Sequence, residues 1–129
     1  ITHDLFPTIL QYVGIDIPDN HVIDGIALED VQSDRVIGWH QPHQWGASGP
    51  GIEPFTAIRQ GKWKLIFFHA DERYELYNLE TDIGETKSVI PHFPLIFKEM
   101  RNSLLNWAIN REAQPSILTE TGEPVIWHE

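Results

Sequence analysis

The sequence predicts an α+β fold: a small antiparallel sheet of about four strands, a long C-terminal helix packed on one face, and a short N-terminal helix. Three observations predict it. Short runs rich in apolar and aromatic residues follow one another from Val36 to Leu79, separated by turn-forming residues, which is the mark of consecutive strands. From Phe93 to Arg111 the apolar residues recur at steps of three and four, the spacing of one helix face. Between Asp4 and Gly14 lies a short stretch with helix start and stop signals.

The N-terminal helix takes Thr2 or Asp4 as its cap and Pro7 in its first turn, and Gly14 stops it. Leu5, Ile9 and Tyr12 or Val13 form a stripe that needs a surface to pack on. Residues 15–34, rich in Pro, Asp, Asn and Gly, read as an ordered connection tethered by a few aliphatic side chains. The strands are Val36 to Trp39, Phe55 to Arg59, Trp63 to Phe68 and Arg73 to Leu79, with Gln60-Gly61 as a tight hairpin and His69 to Glu72 as a polar turn. In the third strand Trp63, Leu65 and Phe67 share one face, and that face is the better core candidate. The helix that covers it starts at Pro91 to Pro94 and presents Phe93, Ile96 or Phe97, Met100, Leu104 and Trp107. After Gln114 periodicity is lost, yet Val125, Ile126 and Trp127 are too apolar for a solvated tail, and Trp127 is expected to dock on the body or on a partner domain. The whole reads as one domain over 1–129, made of an N-terminal helix and connection (1–34), the sheet (35–80), the helix (92–112) and a tail (113–129).

Composition excludes several classes of function. Hydrophobic residues are 41% and charged residues 22%, values of an ordinary globular chain and not of a disordered or fibrous one. A net charge of −10 repels phosphate backbones, so no nucleic-acid partner is expected. No apolar run approaches the roughly 20 residues of a spanning helix, so no membrane partner is expected either. Cys is absent, which removes thiol nucleophiles and thiolate metal sites. The chain begins at Ile1 with neither an initiator Met nor a signal segment, and reads as a piece of something longer. Residues 35–64 are the one cationic stretch, where an anionic ligand would be met; the alternative is that Lys62 and Lys64 are only the solvent face of a strand.

No self-sufficient catalytic motif is present. There is no His-Glu-x-x-His helix and no Gly-x-Ser-x-Gly elbow, and Gly61-Lys62 is followed by Trp63 where a phosphate loop needs a hydroxyl. The segment that stands out runs from Trp39 to Gly51, where Pro42 forces an extended backbone and two His, two Gln and two Trp are displayed together. His40, Gln41, His43 and Trp45 are the candidate substrate-binding residues: indole rings offer flat faces to a sugar, and His and Gln can orient hydroxyls or an anion. Packing of Trp39 and Trp45 and backbone capping by the His are the alternative. The two-residue spacing of His40 and His43 suits a metal, but no third or fourth ligand is spaced to join them.

Asp4-Leu5-Phe6-Pro7-Thr8-Ile9-Leu10 with Gly14-Ile15, then Asp24-Gly25-Ile26-Ala27-Leu28, then Ala57-Ile58-Arg59-Gln60-Gly61-Lys62-Trp63-Lys64-Leu65-Ile66, then Glu75-Leu76-Tyr77-Asn78-Leu79 with Asp82-Ile83-Gly84-Glu85, occur in the order and spacing of one family. From Asp4 to about Trp107 the chain resembles the C-terminal part of the sulfatases, arylsulfatase-type members of the alkaline-phosphatase-like superfamily. The resemblance implies a parent bacterial sulfuric ester hydrolase whose own N-terminal catalytic domain holds calcium and a formylglycine made from Cys or Ser in a Cys/Ser-x-Pro-x-Arg motif. No cofactor and no catalytic residue is then expected in this chain, which alone would be inactive. Ser48-Gly49-Pro50-Gly51-Ile52 is not that motif, because Ile52 stands where Arg belongs. The resemblance further implies a sulfated saccharide substrate met by His40 and His43 and a periplasmic or secreted location; an isolated piece would also expose the apolar surface that faces its partner domain, so self-association is expected. Two alternatives stay open: a stand-alone carbohydrate-binding module that stacks sugars on Trp39 and Trp45, and the C-terminal part of a related phosphate or phosphonate ester hydrolase.

Overall fold

The computed structural model describes residues 1–47, 49 and 51–125. The fold is α+β, as predicted, and forms two compact units, one from Ile1 to Arg35 and one from Val36 onward. Among the described residues no helix is long and apolar enough to cross a membrane.

In the first unit, helix α1 spans Leu5–Val13. It ends as predicted at Gly14, whose φ of +70° is easily reached without a Cβ; Gly14 N–H donates to Gln11 O and Ile15 N–H to Leu10 O, the paired bonds of a Schellman motif. The start differs from the expectation. Asp4 does not cap α1 with its side chain, because the carboxylate is taken elsewhere: it is buried and accepts from Ile26 N–H at 3.0 Å, from Arg35 Nη1 at 2.8 Å and from the Ile1 ammonium at 2.9 Å. Thr8 donates to the Asp4 carbonyl and accepts from Leu28 N–H at 3.0 Å. The segment 24–28 is thus clipped to the start of α1 by two side chains, and a Cβ on Gly25 would lie 2.0 Å from His3 O, so glycine alone permits the approach. The predicted stripe also differs. Leu5, Ile9, Tyr12 and Val13 are exposed, and the residues α1 buries are Pro7 and Thr8.

The second unit is a meander of β1 (Val36–Gln41), β2 (Phe55–Gln60), β3 (Trp63–Phe68) and β4 (Arg73–Asn78), each antiparallel to the next. Gln60 pairs with Trp63, so the hairpin residues are Gly61-Lys62, one position later than predicted; Gly61 has φ +57° and Lys62 has no positive φ, the signs of a type II′ turn. Gly38, Ile58, Leu65 and Leu76 lie in register across the sheet, and the last three are fully buried. Over them packs α2 (Pro94–Asn110), which begins at a proline that needs no N–H partner in the first turn. Its innermost residues are Met100, Leu104 and Ala108, while Ile96, Phe97 and Trp107 are partly buried around them. Trp107 lies against β1, and a Cβ on Gly38 would stand 2.1 Å from its Cε2. The glycine makes room for the indole.

Beyond β4, Asp82 accepts from the N–H groups of Thr86 (2.8 Å) and Lys87 (3.0 Å), folding the loop back so that Val89 N–H reaches Leu76 O at 2.8 Å and Ser88 Oγ accepts from Leu76 N–H. The outer edge of β4 is covered there. In the tail, Val125 is buried in the core and donates its N–H to Ser116 O. Trp127 lies outside the described residues.

Candidate functional site

Strand β1 runs two residues past its predicted end, so His40 and Gln41 belong to the sheet and the loop proper begins at Pro42. The pleat sends neighbours to opposite faces. His40 shares a face with Thr56 and Phe67, the side covered by α2, and Gln41 points the other way. At this end of the sheet a continuous polar chain is built from four segments. His40 Nε2 lies 2.7 Å from Gln114 O and its Nδ1 2.8 Å from Thr56 Oγ1; Thr56 Oγ1 lies 2.8 Å from His69 Nε2. His69 Nδ1 then lies 2.5 Å from Ser116 Oγ, which donates to Pro42 O at 2.8 Å. The two imidazoles are 5.6 Å apart between centroids.

Burial disfavours the charged form of both rings. It pushes His69, 1% exposed, down to about 4, with the neighbouring His40 adding to the effect. His40 is also lowered by burial, opposed by its bond to the Gln114 carbonyl and assisted by His43. Neither ring nitrogen of His40 points into open solvent, so its contacts are those of a structural polar group in the first instance.

The other three candidates lie on the opposite side of that anchor. Gln41 Nε2 donates at 3.4 Å to the carbonyls of His43 and Gly51, bridging the two limbs of the loop, and Trp45 N–H donates to Ile52 O at 3.2 Å. His43 is exposed and Trp45 is 78% exposed. The structure therefore places His43 and Trp45 on the loop, Gln41 at the strand end that bridges the loop's two limbs, and His40 at its base. Sequence reasoning missed Thr56, His69, Gln114 and Ser116. The strand register aligns Thr56 with His40, but no local pattern announces that the tail returns Gln114 and Ser116 to the same end.

The cationic stretch is largely neutralised by its neighbours: Lys64 Nζ meets Glu85 at 2.6 Å, Lys62 Nζ meets Glu80 at 3.0 Å, and Arg59 Nε donates to Gly61 O. Among the described residues no three His, Asp or Glu side chains come together as metal ligands. A formylglycine needs Cys or Ser two residues before Pro and four before Arg, and this chain has no Cys and carries Ile52 at the Arg position. The donor set among the described residues therefore does not fit the calcium and formylglycine of the resemblance.

No family model matches the chain. A protein named "Sulfatase" from Formosa agariphila is 26% identical over 141 residues, spanning 96% of this chain and 26% of its own length. A solved 2-O GAG sulfatase superposes with a TM-score of 0.63 at 23% identity, over 85% of this chain and 25% of the other. A protein solved in complex with its substrate D-glucosamine-2-N,6-O-disulfate gives 0.61 at 19% identity, over 84% and 24%. The chain thus spans about a quarter of the length of the proteins it matches. In sequence the chain is similar to a part of that sulfatase, and in fold to a part of these solved proteins.

Proposed function

We propose that this chain is the C-terminal subdomain of a sulfuric ester hydrolase acting on a sulfated glycan, and that it lends the loop from Pro42 to Gly51 to the substrate side of a pocket whose catalytic groups, calcium and formylglycine included, lie on a partner domain. The observation that carries the reading is the loop itself: His43 and Trp45 sit on a connection bridged by Gln41 and fastened at its base into the core by a buried hydrogen-bonded chain. A stiff stem with an exposed aromatic and a titratable donor suits recognition of an anionic sugar. The glycosaminoglycan sulfatase and the sugar-disulfate complex among its structural neighbours support the substrate class. The exposed apolar side of α1, with Tyr12 75% exposed, supports a covering partner domain and predicts self-association when the chain stands alone.

In the enzyme that contains this chain, His43→Ala is expected to lower turnover of the sulfated glycan about tenfold or more while leaving a small aryl sulfate nearly unchanged, as loss of a contact remote from the reacting bond should. Equal loss on both substrates rejects the pocket role. The exposure of Trp45 and of Trp39, at 43%, favours one other reading, a sugar-binding module that works unaided. Glycan-array binding by the chain alone, abolished by Trp45→Ala, would replace the pocket reading with that one.

A further inference from the structure

The pairing of β1 with β2 stops at two prolines. Gln41 pairs with Phe55, so the next residues across the two strands are Pro42 and Pro54, and neither has an N–H to give the other. The loop therefore leaves the sheet where the ladder can no longer hold its two limbs together, and both proline carbonyls need donors from elsewhere. Their donors are joined to each other. On the outgoing limb, Pro54 O accepts from His69 N–H at 2.9 Å. On the incoming limb, Pro42 O accepts from Ser116 Oγ at 2.8 Å. Ser116 has one hydroxyl hydrogen and uses it there, so at the 2.5 Å contact its oxygen accepts and His69 Nδ1 donates. One limb is thus linked to the other along Pro42, Ser116, His69 and Pro54. The bonds across the loop itself are longer, 3.4 Å from Gln41 to Gly51 O and 3.2 Å from Trp45 to Ile52 O.

We propose that Ser116 is a positioning residue: its hydroxyl sets the incoming limb of the loop against the outgoing one, and with it the place of His43 and Trp45. Ser116 can act as a fixed point because it is itself held. It is buried, its carbonyl accepts from Val125 N–H at 2.8 Å, and Val125 belongs to the core. Leu118, two residues on, packs against the same core, and two residues earlier Gln114 O lies 2.7 Å from His40 Nε2. The tail therefore meets the stem at both His40 and Pro42, on either side of Gln41. The charge on His69 does not enter, since Nδ1 keeps its hydrogen in the neutral and in the charged ring alike. That the place of the loop matters to a glycan rests on the function proposed above; that Ser116 sets it does not.

The first test is amide hydrogen exchange at Trp45, whose N–H crosses the loop to Ile52 O, in wild type, Ser116→Ala and Leu104→Ala. Ser116→Ala is expected to speed it about tenfold, as loss of a buried hydrogen bond at the stem should, whereas Leu104→Ala weakens the core and leaves this local opening unchanged. An unchanged rate in Ser116→Ala, or the same acceleration in both variants, overturns the proposal. If Ser116→Ala does not fold, Ser116→Cys takes its place with the same expectation, because a thiol of similar size is a weak donor. The second test uses the enzyme that contains this chain. There Ser116→Ala should lower kcat/KM for the sulfated glycan about tenfold, through KM, and should cost less than about twofold once His43 and Trp45 are both Ala, because nothing remains for it to place. An undiminished loss in that background overturns action through the loop. If the His43→Ala, Trp45→Ala pair leaves glycan turnover untouched, the glycan reading falls and the exchange rates alone decide the role of Ser116.

Discussion

Between Ile1 and Arg35 the most deeply buried side chain is a carboxylate, whereas from Val36 onward most of the deepest are apolar, Ile58, Leu65, Phe67, Leu76 and Leu104, with Thr56 and His69 beside them. The first region is held by Asp4 and Thr8, which tie three backbone or side-chain donors and the 24–28 segment to α1, and it leaves its apolar stripe to solvent. The second buries its stripe and keeps its polar side chains in one chain at the sheet end. Hydrogen bonds fix a geometry but return only about 1 kcal/mol each, while a buried Leu or Phe returns about 1.5–3. Residues 1–35 are therefore specified without being independently stabilised, and the body from Val36 is both.

The sharpest way to break this contrast is Leu104→Ala. It should cost about 2–5 kcal/mol and lower the urea midpoint of the sheet and α2 together, because the cavity opens in the middle of the core. A loss below 1 kcal/mol would mean that the second region is less tightly packed than its burial indicates. Acid comes next. His69 holds its proton less readily folded than unfolded, so folding stability is complete above its ordinary value of 6.5 and is lost as the pH falls towards about 4. The loss should reach about 3 kcal/mol, and His69→Gln should flatten the pH dependence of the melting temperature over that window. The smallest effect belongs to the first region: Asp4→Asn, which keeps the shape and removes the charge facing Arg35, should cost about 2 kcal/mol. It should speed amide exchange at Ile26 and Leu28 and leave the strand amides unchanged. Equal acceleration in both regions would erase the distinction.

The body was legible in the sequence because its signals are local. Alternation along Trp63–Phe68 and the three-four spacing of Met100, Leu104 and Trp107 state which side is buried, and the structure agrees. The first region was legible only as a helix with a stop. Asp4 reads as a cap in a linear scan, and only folding reveals that Ile26 and Arg35 claim it. The stripe of Leu5, Ile9 and Tyr12 was correctly read as apolar, but periodicity cannot say whether the surface it needs is supplied by this chain. At the candidate site, the extended loop after Pro42 could be foreseen from proline geometry. The base of that loop could not, since His69 and Ser116 stand 47 positions apart and meet only through the returning tail.

The indole of Trp107 resting on Gly38 bears on how such chains can change over time. A side chain at position 38 cannot be accepted while an indole occupies 107, and a small residue at 107 leaves a trough over the strand that a larger residue at 38 would fill. The two positions are therefore expected to covary among homologues, glycine accompanying the large aromatic and a β-branched residue accompanying a small one. Single exchanges at either position should be far rarer than the paired exchange.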